Sequence, residues 1–135
     1  MMTKVFYSRS GVTVLLIFTA LCFGLTPTTV YGGGELDGKI FVMPEDDKKD
    51  VLTFAKGKFH SSLCDKYGFG KGNYTTTPSG DGTAFRAETT SARHGNMAWS
   101  GVVKGNRLEG SYTWTKKGWF RTKTKTKNFT ATLKQ

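Results

Sequence analysis

The sequence is poor in cysteine and in acidic residues, and it lacks the residue sets that mark a catalytic centre. Two cysteines among 135 residues exclude a disulfide-dense scaffold and a zinc module of the Cys-x-x-Cys type. No Ser-His-Asp order, phosphate-binding glycine loop or metalloprotease helix is present, and the glycine-rich segments read as turns. The sequence indicates no cofactor and no metal, and an enzyme is only the third hypothesis for its function.

Acidic residues are half as numerous as basic ones. The formal net charge is +10, from 20 Lys and Arg against 10 Asp and Glu. The length is enough for one domain. Large apolar and aromatic side chains are numerous enough to fill a small core, which excludes wholesale disorder. We expect one folded basic domain.

The N-terminus has the order of an export signal. Lys4 and Arg9 precede a run of 14 residues without charge, 12–25, and a polar stretch then ends at Gly32. This order predicts a signal peptide over residues 1–32, cleaved after Gly32. A retained membrane anchor is the alternative, but a spanning helix needs about 20 apolar residues and this run is shorter.

The predicted mature chain is a single domain over residues 33–135. Its net charge falls from +10 to +8, because two basic residues and no acidic ones leave with the signal. We expect a secreted or periplasmic protein with no remaining membrane span. Cys64 is then the one cysteine left, and an exported lone thiol permits a dimer through an intermolecular disulfide. A small, partly buried thiol is the simpler interpretation.

The mature chain has the pattern of a β-meander. Gly, Asn and Asp recur at intervals of about 8–12 residues, and the segments between them are rich in Thr, Val, Phe, Tyr and Trp. No segment keeps the apolar period of 3.6 that is typical of a helix. Gly105-Asn106 is the clearest two-residue hairpin turn, because both residues tolerate positive φ. Eight strands are predicted, at 36–43, 51–55, 58–64, 72–77, 83–91, 96–104, 107–116 and 119–133.

Eight short antiparallel strands in series leave two open edges unless the sheet closes. An eight-stranded barrel is just wide enough for a core of side chains or for one small ligand. Gly38, Gly101 and Gly110 lie within predicted strands and would permit the bending that closure needs. The predicted fold is therefore all-β, an eight-stranded antiparallel up-and-down barrel, with a two-sheet β-sandwich as the alternative.

Alternation along the strands selects aromatic and apolar side chains for the interior. Met97 and Trp99 share one side of their strand, and Tyr112 and Trp114 share one side of the next. These four side chains, with Phe85, are the candidate ligand-binding residues of the lumen. A filled core without a ligand cavity is the alternative, because inward aromatic residues more often serve as core.

Basic residues repeat at every second position near the C-terminus. Alternate residues in a strand lie about 6.8 Å apart, so four cations would form a row roughly 20 Å long. Such a row suits a polyanion, for example an anionic envelope polymer or a lipid headgroup surface. The alternative is a solvated face that prevents edge aggregation. The candidate polyanion-binding residues are Lys116, Lys117, Arg121, Lys123, Lys125 and Lys127.

The apolar pattern of the last predicted strand changes side along its length. Phe129, Ala131 and Leu133 carry the apolar pattern, although parity puts them on the side of the lysines. A one-residue bulge near Asn128 would reconcile the two halves and separate the lysines from the core. The threonines that alternate with the lysines would then face inward as a polar wall of the lumen.

The first predicted strand, Leu36-Asp37-Gly38-Lys39-Ile40-Phe41, resembles the opening of lipocalin-type (calycin) barrels, in which a Gly-x-Trp motif begins the first strand. Ile40 stands here at the position of the tryptophan. The resemblance covers the plan of residues 36–133 and implies a barrel. It also implies that a basic residue of the last strand, such as Arg121, packs near the motif.

A second pattern is similar to small exported bacterial proteins, and it implies a barrel without a known activity. It is Phe59-x-Ser61-x-x-Cys64-x-x-Tyr67-Gly68-Phe69 followed by Trp99-Ser100-Gly101. Within it, the even spacing of His60 and Cys64 predicts that both point to one strand face. His94, the other histidine, lies in a predicted turn, so a zinc site would form only if the fold brought all three together.

These observations favour an exported, non-catalytic, lipocalin-like binding protein that holds a small apolar or amphiphilic molecule in the barrel lumen. The alternative is a surface or inhibitor module that contacts an anionic polymer or an acidic protein through its basic strand. Nucleic acid is disfavoured as a partner by the export signal and by the absence of a known nucleic-acid-binding motif.

Overall fold

The computed structural model describes residues 30–44 and 49–135. The predicted signal peptide lies outside this range except for its last three residues, and cleavage after Gly32, which stays a prediction, would remove the first strand. In the described part the elements are β1 (Tyr31–Gly32), β2 (Ile40–Met43), β3 (Asp50–Ala55), β4 (Lys58–Ser61), a 3-10 helix (Ser62–Tyr67), β5 (Gly72–Ser79), β6 (Gly82–Ser91), β7 (Gly95–Lys104), β8 (Arg107–Lys117) and β9 (Thr122–Leu133).

The sheet closes into the predicted eight-stranded antiparallel up-and-down barrel. Each strand from β2 to β9 pairs with the next along the chain, and β9 returns to β2 through Phe41↔Leu133 and Val42↔Thr132. The short β1 pairs with β5 beyond Lys58, the first residue of β4. Closure therefore removes the open edges that eight strands in series would leave, and the β-sandwich alternative is wrong.

The hairpin turns form where positive φ is available. Gly105, with φ 57°, and Asn106 join β7 to β8, and the strands pair directly on either side through Lys104↔Arg107. Lys56 and Gly57, with φ 52° and 72°, make the equivalent turn between β3 and β4. These two-residue turns set the register of their hairpins, as the sequence predicts.

Strand alternation places aromatic rings inside the barrel. Phe85 and Ala87 are buried, whereas Arg86 and Glu88 between and beside them are exposed. Phe54 lies at the centre of the aromatic packing. Its ring centroid is 5.0 Å from that of Tyr74, 5.0 Å from that of Phe85, 5.3 Å from that of Phe59 and 6.1 Å from that of Phe41. This end of the barrel is filled by side chains.

Gly101 and Gly110 lie in adjacent strands and face each other directly. A Cβ on Gly110 would lie 2.3 Å from the carbonyl oxygen of Ser100, and a Cβ on Gly101 would lie 2.8 Å from that of Glu109. The missing side chains let β7 and β8 approach closely and leave room for the neighbouring rings. Gly38 differs, because it lies in a turn with φ 89° and not within a strand.

The first predicted strand begins four residues later than expected, at Ile40. Residues 36–39 form a turn in which the Asp37 amide donates to Gly34 O and the Lys39 amide donates to Leu36 O. The turn folds Leu36 across the filled end of the barrel, where its side chain is only 2% exposed. Residues 36–39 therefore form a turn that closes this end of the barrel with the Leu36 side chain, where a strand was expected.

Tyr74 ties this turn to the barrel wall. Its hydroxyl donates to Asp37 Oδ1 at 2.7 Å and accepts the backbone amides of Gly34 at 2.9 Å and Leu36 at 3.1 Å. Asp37 also accepts the amide of Gly57. Burial, together with the hydrogen bond to Asp37, raises the pKa of Tyr74 above its usual value of 10.0.

The predicted strand 58–64 ends at Ser61 and continues as the 3-10 helix. The buried carboxylate of Asp50 causes this change by accepting hydrogen bonds from Ser61 Oγ at 2.7 Å, Ser62 Oγ at 3.1 Å and the Leu63 amide at 3.0 Å. Side-chain acceptors compete in this way with strand pairing. Cys64 consequently lies on the helix, so the prediction that it extends the strand face of His60 is wrong.

The predicted bulge near Asn128 is also wrong. β8 and β9 pair without interruption from Arg107↔Thr132 to Lys117↔Thr122. Directly opposite residues of an antiparallel pair project to the same side. Lys127 is opposite Tyr112 and Lys125 is opposite Trp114, so these lysines share the interior side of the strand.

The lysines can occupy the interior side because β2 pairs with β9 only through Thr132 and Leu133, so the earlier part of β9 pairs with β8 alone and has an open edge. We call residues 122–128 of β9 and residues 111–117 of β8 the β8–β9 ribbon; β7 borders β8 as far as Thr115. Residues 122–128 of β9 are exposed on both sides, whereas Phe129 and Ala131 are buried. A lysine at an interior position is thus hydrated as soon as the strand leaves the core. The alternating threonines face outward instead of forming the expected lumen wall, and Thr126 Oγ1 lies 3.0 Å from Thr113 Oγ1 across the ribbon.

Arg121 does not pack near the first barrel strand, in contrast to the expectation from the lipocalin-type motif. The antiparallel register brings the end of β9 beside β2, where the Lys134 amide donates to Ile40 O. Arg121 precedes the start of β9 and lies at the exposed tip of the ribbon. The two positions are separated by the full length of the strand.

Candidate functional site

A cavity of about 690 Å³ opens at the end of the barrel opposite Leu36. It lies where the β8–β9 ribbon leaves the core, and the 3-10 helix forms its opposite wall. We call this space the mouth cavity. Its lining residues are Met43, Asp50, Leu63, Cys64, Lys66, Tyr67, Phe69, His94, Met97, Trp99, Tyr112, Trp114 and Lys125.

The floor of the mouth cavity is aromatic and well packed. Trp99 is 2% exposed, and its ring centroid lies 4.8 Å from that of Tyr112 and 4.9 Å from that of Phe59. The Trp99 indole donates to Thr89 Oγ1 at 3.4 Å. Buried Met43 and Met97 complete the floor. Rings fixed by their neighbours present a preformed apolar surface, and methionine adapts to irregular shapes.

The wall made by the 3-10 helix depends on Asp50. Its three hydrogen bonds hold the first turn of the helix, and they place Leu63 and Cys64 against the cavity. Cys64 Sγ lies 3.6 Å from Met97 Sδ on the floor. Burial raises the pKa of the Cys64 thiol above its usual value of 9.0, against the lowering effect of the nearby Ser61 hydroxyl.

The rim combines aromatic rings with two cations. The Trp114 indole donates to the His94 carbonyl at 2.6 Å, which fixes the ring at the edge of the cavity. The Tyr67 and His94 rings meet edge to face, with 5.4 Å between their centroids. Lys66 Nζ lies 4.8 Å from the centroid of the Tyr67 ring. Lys125 reaches the cavity from the ribbon on the other side.

Four of the five candidate lumen residues come together in this cavity. Met97, Trp99, Tyr112 and Trp114 line it, and Phe85 lies instead in the filled core. The sequence reasoning missed the lining residues of the 3-10 helix, because no apolar period marks so short a helix. It also missed Met43, which lies at the end of a strand whose alternation is only four residues long.

The six candidate basic residues divide between the cavity and the ribbon. Lys125 lines the cavity, and Lys123 and Lys127 lie on the same side of β9. Lys116 is opposite Lys123, and Lys117 ends β8. The aromatic surface and the basic row, which the sequence analysis treated as separate sites on separate faces, therefore adjoin on one face of the ribbon.

The geometry of the histidines and the cysteine does not assemble a metal centre in the described part of the chain. His60 Nε2 lies 2.7 Å from Asp65 Oδ1, whereas the His94 ring packs against Tyr67. Over residues 30–44 and 49–135, no three His, Cys, Asp or Glu side chains lie close enough to hold a metal ion. The raised pKa keeps the Cys64 thiol protonated at neutral pH, the opposite of what a thiolate nucleophile requires.

The comparisons with known proteins assign no family. No protein-family model, curated protein or solved structure matches the chain. Within the part of the chain that the structure describes, none of the helical segments has the length and apolar character needed to cross a bilayer.

Proposed function

We propose that this chain is an exported, lipocalin-like binding protein whose mouth cavity takes a small amphiphile with an anionic head. The observation that carries the proposal is the register of β9. It puts Lys125 on the same face as Trp114 and beside the aromatic floor. The export part of the proposal rests on the signal-like N-terminus and not on the barrel.

The size and lining of the mouth cavity suit such a molecule. Ligand sites are typically concave spaces of about 300–1,000 Å³ with mostly apolar walls and a few placed polar groups. The cavity has about 690 Å³ and an apolar floor of Trp99, Met97 and Met43. An alkyl or aryl group would be buried against this floor.

The charges at the rim favour an anionic head over a cationic one. Lys66 and Lys125 both line the cavity, and Asp50 is its single lining carboxylate. Asp50 is buried and accepts three hydrogen bonds, one from Ser61 at the end of β4 and two from the 3-10 helix, so protein donors already occupy its carboxylate oxygens. A carboxylate, sulfate or phosphate head at the rim would meet two ammonium groups that remain in contact with water.

Isothermal titration of the purified protein with dodecanoate tests the proposal. Decanoate and octanoate should bind more weakly, by about fourfold for each methylene removed, because a buried methylene contributes about 0.8 kcal/mol. Dodecyltrimethylammonium, with the same chain and the opposite charge, should bind more weakly than dodecanoate. Absence of binding for all of these probes would overturn the proposal.

A pair of variants locates the binding site. Trp114→Ala removes a rim ring and should weaken dodecanoate binding about tenfold or more. Val102→Ala is the matched control, because Val102 lies on β7 with its side chain on the outer side of the barrel. Equal affinity in both variants would place the probe outside the mouth cavity.

A further inference from the structure

The tip of the β8–β9 ribbon carries two large aromatic side chains that the fold does not use. Trp119 is 92% exposed and Phe120 is 93% exposed, and their ring centroids lie 6.3 Å apart. The turn beneath them is held by the Gly118 amide, which donates to Arg121 O at 2.9 Å. Aromatic residues of this size normally bury most of their surface, so an adjacent exposed pair marks a contact site.

A collar of cations surrounds these rings. Lys117 and Arg121 flank the turn, and Lys116 and Lys123 face each other one step further down the ribbon. The sequence has no Asp or Glu between residue 110 and its C-terminus. The tip therefore presents two apolar rings surrounded by positive charge alone. A partner that fits it must be strongly negative and must let the two rings insert into its surface.

We infer that the ribbon tip docks on the surface of an anionic lipid bilayer, with Trp119 and Phe120 inserted among the headgroups. Tryptophan and phenylalanine prefer this interfacial layer, and neighbouring lysine and arginine side chains are attracted to anionic lipids. Lys117 and Arg121, close to the rings, would remain at the level of the phosphates. This inference concerns a surface separate from the mouth cavity and does not depend on the proposed ligand.

The shape and charge of the tip disfavour two other occupants. The planes of the two rings are inclined by 62°, so both rings cannot stack on the two faces of one nucleobase. A second copy of the chain would bring two collars of positive charge together. A bilayer accepts both rings without a preformed pocket, and its charge is complementary.

Co-flotation of the protein with lipid vesicles tests the inference. Vesicles of phosphatidylglycerol and phosphatidylcholine should bind the protein, with a shift of tryptophan emission to shorter wavelength, and vesicles of phosphatidylcholine alone should bind it far less. Trp119→Ser/Phe120→Ser should weaken vesicle binding more than tenfold and abolish the emission shift. Both side chains are almost fully exposed, so this variant should keep the melting temperature of the wild type.

Charge variants at the two ends of the barrel provide a matched comparison. Lys117→Gln/Arg121→Gln should weaken binding to the anionic vesicles about 30-fold, at about 1 kcal/mol for each cation near the surface. Lys56→Asn/Lys134→Gln removes the same charge from the opposite end and should have little effect. Asn tolerates the positive φ of position 56.

The inference is overturned if the tip variant binds anionic vesicles as well as the wild type does, or if no vesicle binds either protein. It is also overturned if the tip binds heparin but no vesicles, or if sedimentation shows a dimer that the tip variant loses. The tip variant should still bind dodecanoate. A wild-type protein that binds anionic vesicles but not dodecanoate would refute the mouth-cavity proposal alone.

Discussion

Removal of the Tyr74 hydroxyl should destabilise the barrel strongly. In Tyr74→Phe the buried amide of Leu36 loses its acceptor, which costs about 1–3 kcal/mol. Asp37 loses a donor at 2.7 Å but still accepts the Gly57 amide, and the Gly34 amide is near solvent. We expect the free energy of unfolding to fall by about 2–4 kcal/mol in total.

Urea denaturation followed by far-UV circular dichroism measures this loss. For a domain of this size it corresponds to a fall in melting temperature of about 10–25 °C. Tyr67→Phe is the control, because Tyr67 is 47% exposed and its substitution should change the stability by less than about 0.5 kcal/mol. A loss below about 1 kcal/mol in Tyr74→Phe would refute the hydrogen-bond network at the filled end.

The raised pKa of Tyr74 adds a pH dependence with a definite sign. The folded state holds the phenolic proton more tightly than the unfolded state does, mainly because the ring is buried. The stability that this gives is complete below pH 10 and is lost as the pH rises from there through the folded pKa. The stability difference between wild type and Tyr74→Phe should therefore shrink above pH 10, by up to about 1.4 kcal/mol per pH unit. An unchanged difference across that range would contradict the assignment.

Three further substitutions or reactions test separate parts of the account. Gly110→Ala should destabilise the barrel by more than about 3 kcal/mol in urea denaturation, because its Cβ would lie 2.3 Å from Ser100 O. Gly70→Ala is the control, since open space surrounds Gly70 and the substitution should hardly change the stability. Equal effects of the two substitutions would contradict the close approach of β7 and β8. Asp50→Ala removes the hydrogen-bond acceptors that hold the 3-10 helix. We expect faster proteolysis at residues 62–71 and weaker dodecanoate binding. Unchanged cleavage would show that the carboxylate does not hold the helix. Cys64 should react slowly with iodoacetamide at pH 7 and faster only above pH 9, and rapid labelling at pH 7 would contradict its raised pKa.

The sequence predicts the barrel well because the information for it is local. Gly105-Asn106 and the other turns define hairpins, and alternation such as that of Phe85 and Ala87 assigns faces within each strand. Seven of the eight predicted strands overlap a barrel strand along most of their length, and the eighth, 36–43, is half turn. Closure then follows from the need to pair the two remaining edges.

The parts that the sequence does not predict depend on contacts between distant residues. The 3-10 helix forms because Asp50 supplies acceptors to Ser61 and Ser62 from another strand, a contact that no local pattern indicates. Leu36 plugs the barrel because Tyr74 holds its amide. In both places a side chain brought in by the fold overrides the strand preference of the segment.

The position of the lysines shows a limit of pattern reading. A basic residue on the side of Phe129 suggests a bulge if every interior position is assumed to be buried. The part of β9 before Phe129 lies outside the core, so a side chain on the interior side of the strand is not buried there. That single difference brings the basic row of β9, with Lys125, to the aromatic mouth cavity.

The central claim, that Lys125 and the aromatic floor form one site for an anionic amphiphile, is tested most directly by a thermodynamic cycle. Dodecanoate and dodecanol are each titrated into the wild type and into Lys125→Gln. We predict that the substitution weakens dodecanoate binding about two- to fivefold, as for a solvent-exposed ion pair worth up to about 1 kcal/mol, and leaves dodecanol binding unchanged. An equal effect on both probes, or no effect on either, would contradict the claim.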